Sequence, residues 1–414
     1  EVSQYDHKLK QKATVVLFSA TNKHHHFRMD LAIHTENSAI TLQRLEQNDP
    51  TLTKLTLGSL RGFFPGAGKA HCWPTTSADL ARLGVAIGAN TNLLSLDIRN
   101  IYVLADLAAN NKVFFGGLSF NVSVTSLSLV DCSFSSGIGY EILNGFLLNN
   151  CSLTQIVMYD CSLGDGGSGY LATALSKCVN LNSVSLSPSV DDGILVEIVS
   201  GIRGLRRLQK LSLPGSNFGL TGCEVLATML RDPATNLEHL GLRYNSRIDD
   251  TCAKILANSL EDNCKLEDIQ LHRNNAITTN GWETFIEVLC NQSSIKDTHL
   301  SNHTLKSFGP ITLPSNLVTL LEMNSGSADN TEAAMRKILH HHVLFDMERL
   351  HQEWNLKLLP VAVRWFDRAR GCVEDDRVPG VNARKLSAIF QFVRALPMMF
   401  VPVRGNAKRK RSVI

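Results

Sequence analysis

The sequence predicts an α/β solenoid shaped as a horseshoe, with parallel strands on the concave face, helices on the convex face and a helical C-terminal cap. Two observations support this fold class. Short apolar segments of one pattern recur at a fixed spacing, and a helix-like segment follows each of them. A fixed period of roughly 20 to 50 residues is typical of stacked repeats, because one repeat cannot bury its apolar face alone.

The clearest repeats lie between residues 208 and 274. The segments LQKLSLPGSN, LEHLGLRYNS and LEDIQLHRNN begin at Leu208, Leu237 and Leu266, so both steps are 29 residues (237−208 and 266−237). Each segment fits the LxxLxLxxN pattern of a leucine-rich repeat. Side chains alternate along a strand, so the leucines are expected to point inward and the residues between them outward.

Weaker copies of the pattern extend the array in both directions, and we expect a strand at each. Decay of the motif is expected near the end of an array, and the last copy has a threonine in place of a leucine. The apolar positions of the copies are Leu52, Leu55 and Leu57; Leu93, Leu96 and Ile98; Val124, Leu127 and Leu129; Leu153, Ile156 and Met158; Leu181, Val184 and Leu186; and finally Ile295, Thr298 and Leu300.

The last position of the motif is predicted to form a structural ladder of buried side chains. Asn245 and Asn274 occupy it in two repeats, and Cys132 and Cys161 occupy it in two earlier ones. A buried asparagine needs hydrogen-bond partners for its amide, and we expect the turning backbone of the next repeat to supply them.

The segments between the strands are predicted to be helical. Thr221 with Glu224, and Asn280 with Glu283, have the spacing of a capping box. Apolar residues at helical spacing follow the second pair, which predicts one buried helix face. They are Trp282, Phe285, Ile286 and Leu289.

A repeat of 28 to 29 residues with one strand and one full helix resembles the ribonuclease-inhibitor-type leucine-rich repeats. The phrase LGLRYNSRIDD, which continues into CAKILANSLEDN, is similar to the pattern of that subfamily, and the resemblance covers roughly residues 45–310. It implies the horseshoe fold. A shared fold does not by itself imply a shared activity.

Four segments are predicted along the chain. Residues 1–44 form an N-terminal capping segment, 45–309 the solenoid, 310–403 a helical C-terminal cap and 404–414 a basic tail. The cap is expected because the last repeat exposes an apolar edge that needs a cover. A separate helical effector domain is the alternative for the third segment. Within the solenoid, RGFFPGAGKAHCWP at 61–74 is expected to be an irregular loop.

The composition restricts the class of protein. The 414 residues are 44% hydrophobic and 19% charged with a net charge of +3, so a large core is expected and no bulk attraction to nucleic acid or membrane. No apolar run is long enough for a spanning helix. EVSQYDHKLKQK at the start contains no signal-peptide core, and the absence of an initiator Met leaves room for an upstream segment. The ten cysteines are interpreted as reduced core thiols of an intracellular protein.

Several motifs could carry chemistry, and each has a simpler interpretation. The histidine runs His24–His26 and His340–His342 are expected to be solvated rather than metal-bound. GDGGSG, with Gly164, Gly166 and Gly169, has GxGxxG spacing but lacks the ribose-binding acid of a dinucleotide site. We find no catalytic dyad, nucleophile elbow, Walker motif or metal-ligand spacing. The protein is therefore predicted not to be an enzyme and to use no cofactor or metal.

The outward strand residues are predicted to bind a partner. In the earlier repeats they are mostly serines, whereas the later repeats carry basic, titratable and aromatic side chains. Arg and Tyr dominate interface hot spots, and the positive excess favours an acidic protein surface as the partner. The predicted concave-face residues are Tyr159, Lys210, His239, Arg243, Tyr244, Gln270, His272, Arg273 and His299.

The tail GNAKRKRSVI contains a basic run that resembles a short nuclear-import signal; a solubilising tail is the alternative. Its residues are Lys408, Arg409, Lys410 and Arg411. The expected location is the cytoplasm, with the nucleus added if the run is an import signal.

The predicted function is a non-enzymatic scaffold that binds another protein, with no nucleic acid or membrane partner. Two regulatory alternatives remain. The family resemblance includes GTPase-activating regulators of nuclear transport, but those end in an acidic tail and this chain ends in a basic one. Substrate receptors of ubiquitin ligases need an adaptor-binding helical box, and residues 1–50 show none.

Overall fold

The computed structural model describes residues 38–57, 77–99, 108–132, 134, 137–150, 152–163, 166–187 and 190–342. The chain divides into two compact units. The first comprises Glu1–Leu256, Lys265–Thr278 and Ser307–Thr312, and the second comprises Ala257–Cys264, Thr279–Lys306 and Leu313–Ile414.

Strands and helices alternate along the described chain up to residue 289. The strands are β1 (Lys54–Leu57), β2 (Ser95–Arg99), β3 (Ser126–Val130), β4 (Gln155–Tyr159), β5 (Ser183–Ser187), β6 (Lys210–Ser212), β7 (His239–Gly241) and β8 (Asp268–Gln270). The helices are α1 (Ser38–Glu46), α2 (Ser77–Ala89), α3 (Ala108–Leu118), α4 (Gly137–Asn149), α5 (Gly167–Lys177), α6 (Asp192–Ile202), α7 (Leu220–Arg231), α8 (Asp250–Asn258) and α9 (Thr279–Leu289).

The strands of the first unit form one parallel sheet in which each strand pairs with the next along the chain. The register places one inward residue of every strand in a single row, and each of these is at most 2% exposed. The row is Leu55, Leu96, Leu127, Ile156, Val184, Leu211, Leu240 and Ile269. The predicted α/β solenoid of tandem repeats, with its inward leucines, is thereby confirmed.

A row of buried asparagines precedes several strands. Asn121 is fully buried, and its Nδ2 donates to the carbonyl oxygens of Ile87 at 2.6 Å and Asn90 at 2.8 Å in the preceding repeat. Its Oδ1 accepts from the backbone N–H groups of Ser123 and Val124. One amide therefore closes its own turn and ties that turn to the previous repeat. The sequence analysis did not assign this role to Asn121.

The predicted ladder position lies at the other end of the strands. Asn245 Nδ2 donates to the carbonyl oxygens of Leu213 at 2.9 Å and Leu242 at 2.8 Å. Asn274 Nδ2 donates to the Leu242 carbonyl at 2.9 Å, and its Oδ1 accepts from the Asn245 N–H. The amide donors thus reach back to the preceding repeat, whereas the sequence analysis expected them to reach forward.

The two ladder cysteines occupy the equivalent place in earlier repeats. The Sγ of Cys132 lies 3.6 Å from the Ile98 carbonyl oxygen, and that of Cys161 lies 3.3 Å from the Leu129 carbonyl oxygen. A hydrogen bond with Cys132, together with burial, raises the pKa of the Cys161 thiol. The thiol therefore stays protonated and acts as a weak donor to the neighbouring repeat.

The prediction for the last repeat is wrong. Residues Ile295–Leu300, expected as a strand, form a helix (α10) in the second unit. Ser294 caps this helix, because its Oγ accepts from the Asp297 N–H at 3.0 Å. Next to β8, the strand position is taken instead by Ser307, which bridges Asp268 in parallel, so this step is 39 residues (307−268). Ser294 and Asp297 show the three-residue spacing of an N-cap signal that the fixed step of 29 concealed.

The capping box predicted at Thr221 is also wrong. Helix α7 begins at Leu220 with Gly219 as its N-cap, and no side chain of its own caps it. Instead Asp192 Oδ1, from the first residue of α6, accepts from the N–H groups of Gly219 at 2.9 Å and Gly222 at 2.8 Å. A carboxylate there satisfies two helix donors and favours the positive end of the helix dipole.

The second unit is helical in its described part. It contains α9 and α10, followed by α11 (Ser315–Ser325) and α12 (Asn330–His341). Asp329 caps α12 by accepting from the Glu332 N–H at 2.9 Å. The histidine run at its end is half-buried rather than solvated, and His342 Nε2 lies 2.8 Å from Thr298 Oγ1.

Lys337 of α12 is fully buried within the second unit. Its Nζ donates to the carbonyl oxygens of Leu289 at 2.6 Å and Asn302 at 2.9 Å, and lies 3.1 Å from His303 Nδ1. Burial lowers the pKa of Lys337 to about 7, and burial with the Lys337 charge lowers the pKa of His303 to about 3. One lysine therefore joins the end of α9, the following loop and α12.

Several predictions fall outside the described residues. These are His24–His26, the insertion at 61–74, Gly164, and the chain from 343 onward, including the basic run at 408–411. Among the helices that the structure does describe, none combines the length and the apolar character needed to cross a membrane.

Candidate partner-binding surface

The strand face is the outward side of the sheet, formed by residues that alternate with the buried row. Its side chains are half-exposed or exposed, so they are available to a partner without disturbing the core. The first register row of this face is Lys54, Ser95, Ser126, Gln155, Ser183, Lys210, His239 and Asp268.

Serines give the middle of the strand face a low relief. Ser126 and Ser128 on β3, and Ser183 and Ser185 on β5, are half-exposed, and their hydroxyls bond to no described residue. Ser187, which the sequence placed on this face, is buried instead and donates to the Pro214 carbonyl oxygen at 2.7 Å. A partner can therefore approach the backbone closely over β3 to β5 and find unoccupied hydroxyls there.

Larger polar side chains stand on β6, β7 and β8. His239 Nδ1 lies 3.9 Å from Asp268 Oδ2. Burial raises the pKa of Asp268, but hydrogen bonds from His239, Ser307 and Gln270 outweigh that effect, so the net pKa lies below its usual value. The carboxylate is ionised at neutral pH and is already engaged. Lys210, on the adjacent strand, is exposed.

Four predicted site residues meet just beyond the carboxyl ends of β7 and β8. The Tyr244 N–H donates to the His272 carbonyl oxygen at 3.2 Å, and the two rings meet edge to face with centroids 6.0 Å apart. Burial, followed by the charges of Arg243 and Arg273, lowers the pKa of His272. The imidazole is therefore neutral at pH 7, between two permanently charged guanidinium groups.

The remaining predicted residues are more dispersed. Tyr159 ends β4 and is 49% exposed, and Gln270 ends β8, where its Nε2 donates to Asp268 Oδ2 at 3.0 Å. His299 is a correction: it lies on helix α10 in the second unit and not on a strand. Burial lowers its pKa. Its assignment followed from the wrong register of the last repeat.

Two strand-face residues were missed by the sequence analysis. Asp97 and Arg99 lie on β2 and form an ion pair of 2.5 Å. The alternation in LLSLDIRN, which puts Leu96 and Ile98 inward, places both of them outward. That signal was present but was not used, because attention rested on the more basic later repeats.

The residue that follows the strand adopts a left-handed backbone in several repeats. The φ angles are 52° for Asp131, 55° for Asp160, 64° for Gly215, 62° for Tyr244 and 64° for Arg273. Glycine and aspartate tolerate this region, but for tyrosine or arginine it costs on the order of 1 kcal/mol. Tyr244 and Arg273 are thus placed at the rim of the strand face against a local backbone preference.

Two other kinds of site were sought on the described residues. No group of three or more His, Cys, Asp or Glu lies there in an arrangement that could hold a metal ion. A small hollow beside β4 and β5 is lined almost entirely by apolar side chains, among them Met158, Leu171 and Ile198. Beside these, the strand face offers the larger set of polar and aromatic groups.

Comparison with known proteins places these repeats in a family. Mouse ribonuclease inhibitor is 28% identical over 193 residues, which cover 46% of this chain and 41% of that protein. Pig ribonuclease inhibitor is 26% identical over 195 residues, covering 46% of this chain and 42% of that protein. Together with the parallel sheet and its 29-residue steps, these matches decide the family. The chain is a leucine-rich repeat protein of the ribonuclease-inhibitor type.

The match to both relatives is partial, since this leucine-rich repeat protein spans less than half of the length of each. No protein-family model matches it. Among solved structures, the actin-binding site 2 of leiomodin-1 aligns with a TM-score of 0.31 and 17% identity over 42% of this chain and 90% of that chain. The yeast Rad7–Elc1 complex gives 0.35 and 16% over 65% and 74%.

Proposed function

We propose that this leucine-rich repeat protein is a non-enzymatic scaffold that binds a protein partner on its strand face. The observation that carries the proposal is the continuous outward face of the eight-stranded sheet, with unoccupied hydroxyls in its middle and arginine and tyrosine side chains at its β7–β8 end. Repeat proteins offer such extended surfaces to partners, and a strand residue can change there without a change in the core. Two ribonuclease inhibitors among the relatives favour a binding role as well.

The charge of the strand face favours an acidic partner surface. Lys210, Arg243 and Arg273 stand on β6 to β8 or just beyond, and Asp268 on the same strands is engaged with His239 and Gln270. The excess positive charge would steer an acidic surface toward this end of the sheet and would disfavour a basic one. The ionic-strength dependence of the association rate would report this steering.

A pair of matched variants tests the proposal. The first carries Arg243→Glu, His272→Glu and Arg273→Glu on the strand face. The second carries Lys177→Glu, Arg231→Glu and Lys254→Glu on exposed positions of helices α5, α7 and α8. Both would be immobilised beside the parent protein, and partners from the source cells would be captured and identified by mass spectrometry.

We expect a partner that the parent and the helix variant retain and that the strand-face variant loses. Retention by all three proteins would remove the strand face as the binding site. Thermal melts of each variant establish that it is folded. Arg243→Gln with Arg273→Gln is the milder substitute if the glutamate variant is not.

Other sequence predictions stay predictions. They include the helical cap at 310–403, the cytoplasmic or nuclear location, and the two regulatory alternatives, GTPase activation and substrate reception for a ubiquitin ligase. A GTP-hydrolysis assay with a small GTPase, with and without the protein, tests the first alternative.

A further inference from the structure

Two arginines at the β7–β8 end of the strand face lack a counter-ion within the described part of the chain. Arg243 and Arg273 make neither an ion pair nor a side-chain hydrogen bond there. Most other described arginines do engage a partner: Arg44, Arg82, Arg99, Arg203, Arg206, Arg207, Arg247 and Arg336. Both charges act on the same neighbour, His272, so the free protein holds two like charges together without neutralising them.

The groups around these arginines are suited to donating hydrogen bonds. The pKa of His272 is lowered first by burial and then by Arg243 and Arg273, with Asp268 opposing them, so its ring adds no third charge. Its Nδ1 has no hydrogen-bond partner among the described residues. Tyr244 stands edge-on to that ring with its side chain 45% exposed. Two guanidinium groups, a phenol and a neutral imidazole therefore share one rim.

The backbone indicates that these side chains are kept for contacts outside the fold. Tyr244 and Arg273 are left-handed at φ 62° and 64°, in the positions where Asp131, Asp160 and Gly215 stand in other repeats. Both side chains are exposed, so packing does not offset the strain. Strain that the fold does not need is characteristic of binding sites.

We propose that Arg243, Tyr244, His272 and Arg273 form an anion-recognition site for a carboxylate side chain of the protein partner. The inference rests on the proposed function and makes it specific. A carboxylate accepts paired N–H bonds from the planar guanidinium groups and relieves their mutual repulsion, and the phenol and imidazole can complete its hydrogen bonding.

The rest of the rim makes this position selective. The equivalent rim positions of the third and fourth repeats carry Asp131 and Asp160, so the rim changes from acidic near β3 and β4 to basic near β7 and β8. A partner carboxylate is repelled at the first pair and attracted at the second. The polarity therefore sets the direction in which an acidic partner segment lies along the strand face.

Sodium succinate is the probe for this site, and His272 is the reporter. The full chain would be labelled on histidine, and the His272 resonance would be assigned by its loss in His272→Gln. The ring would be titrated with pH in the presence of succinate, of inorganic phosphate, and of sodium chloride at equal ionic strength. We expect succinate to shift the resonance and to raise the pKa of His272 by roughly half a unit or more, because an adjacent anion favours the imidazolium.

Matched variants give the contrary outcomes. The succinate response should vanish in Arg243→Gln with Arg273→Gln and persist in Arg231→Gln with Lys254→Gln. A response of equal size to sodium chloride, or one that survives loss of both site arginines, overturns the proposal. A response to phosphate at tenfold lower concentration than to succinate overturns the carboxylate assignment in favour of a phosphorylated partner.

Stability provides an independent readout. Tyr244→Asn and Arg273→Asn should each raise Tm by about 2 °C, since asparagine tolerates the left-handed region, while they abolish or weaken the succinate response. Asp160→Asn, at an equivalent rim position, should change neither property appreciably. A lower Tm for Tyr244→Asn would show that the fold holds this side chain and would overturn its assignment to binding.

Failure of this inference can be told from failure of the proposed function. Loss of the captured partner in the glutamate variant, with a parent His272 that ignores succinate, leaves the binding face in place and removes the carboxylate site. A specific succinate response, with captured partners that are the same for all variants, leaves the anion site and removes the strand face as the scaffold surface.

Discussion

Replacement of Lys337 by methionine should make the stability of the protein less dependent on pH. Lys337 is fully buried, and its Nζ reaches Leu289 O, Asn302 O and His303 Nδ1 at 2.6, 2.9 and 3.1 Å. Methionine fills nearly the same volume but carries no charge and no donor. Three buried acceptors then lose their partner, which costs about 3 kcal/mol at a pH where the lysine itself is neutral.

The pH dependence follows from the lowered pKa. Burial lowers the pKa of Lys337 from 10.5 to about 7, so between these values the unfolded chain holds a proton that the folded chain releases. Stability therefore rises with pH across this window and falls again toward pH 7. Integrating over the two pKa values, the parent protein gains about 3 kcal/mol between pH 7 and 9.5 from this group. The methionine variant gains none of it.

Urea denaturation at pH 7.0 and 9.5, followed by circular dichroism and tryptophan fluorescence, measures the effect. The difference between parent and variant cancels most other titrations, and pH 9.5 lies below the pKa of Cys290, which burial raises to about 11. Lys337→Met should be about 3 kcal/mol more destabilising at pH 9.5 than at pH 7.0. An equal loss of stability at both pH values would refute the buried, proton-releasing lysine.

Three further substitutions test the packing of the repeats. Asn121→Ala should lower the free energy of unfolding by about 3 kcal/mol, because it strands buried carbonyl and N–H groups in two repeats; a loss below about 1 kcal/mol in urea denaturation would argue against the tie. Gly88→Ala should destabilise by about 1 to 3 kcal/mol, because its Cβ would lie 2.1 Å from the Gly117 carbonyl oxygen. Gly145→Ala, with nothing within 4 Å, is the matched control and should be neutral or slightly stabilising. Leu240→Asp should abolish the cooperative melt, since it puts an unpaired charge into the core, and a melt near the parent Tm would contradict the inward register.

The repeat pattern was sufficient to predict the regular part of the fold. Inward positions such as Leu127, Leu211 and Leu240 follow from a period of two within a strand and of 29 residues between strands, and each is buried as predicted. Local alternation also placed Arg243 and His272 outward. Such assignments succeed because burial of an apolar face is decided by the residues of one repeat and repeated in the next.

The exceptions arise where a local signal competes with the period. Ser294 and Asp297 start a helix where a step of 29 residues predicted a strand, and His299 left the strand face with it. Asp192 caps a helix of the following repeat, a partnership that no spacing within α7 can reveal. The rim assignment likewise needed backbone angles, because nothing in the sequence marks Tyr244 as left-handed.

By itself the sequence determined the class of fold, the inward rows and the candidate residues of the strand face, because these depend on periodicities that a chain displays along its length. The tertiary structure decided which of those residues meet. Arg243 and His272 are 29 positions apart (272−243), and only the parallel register of β7 with β8 brings them to one rim. It also decided that Lys337 is enclosed by three acceptors from other segments. Contacts between distant positions are set by how repeats and helices pack, and that information is absent from any single segment.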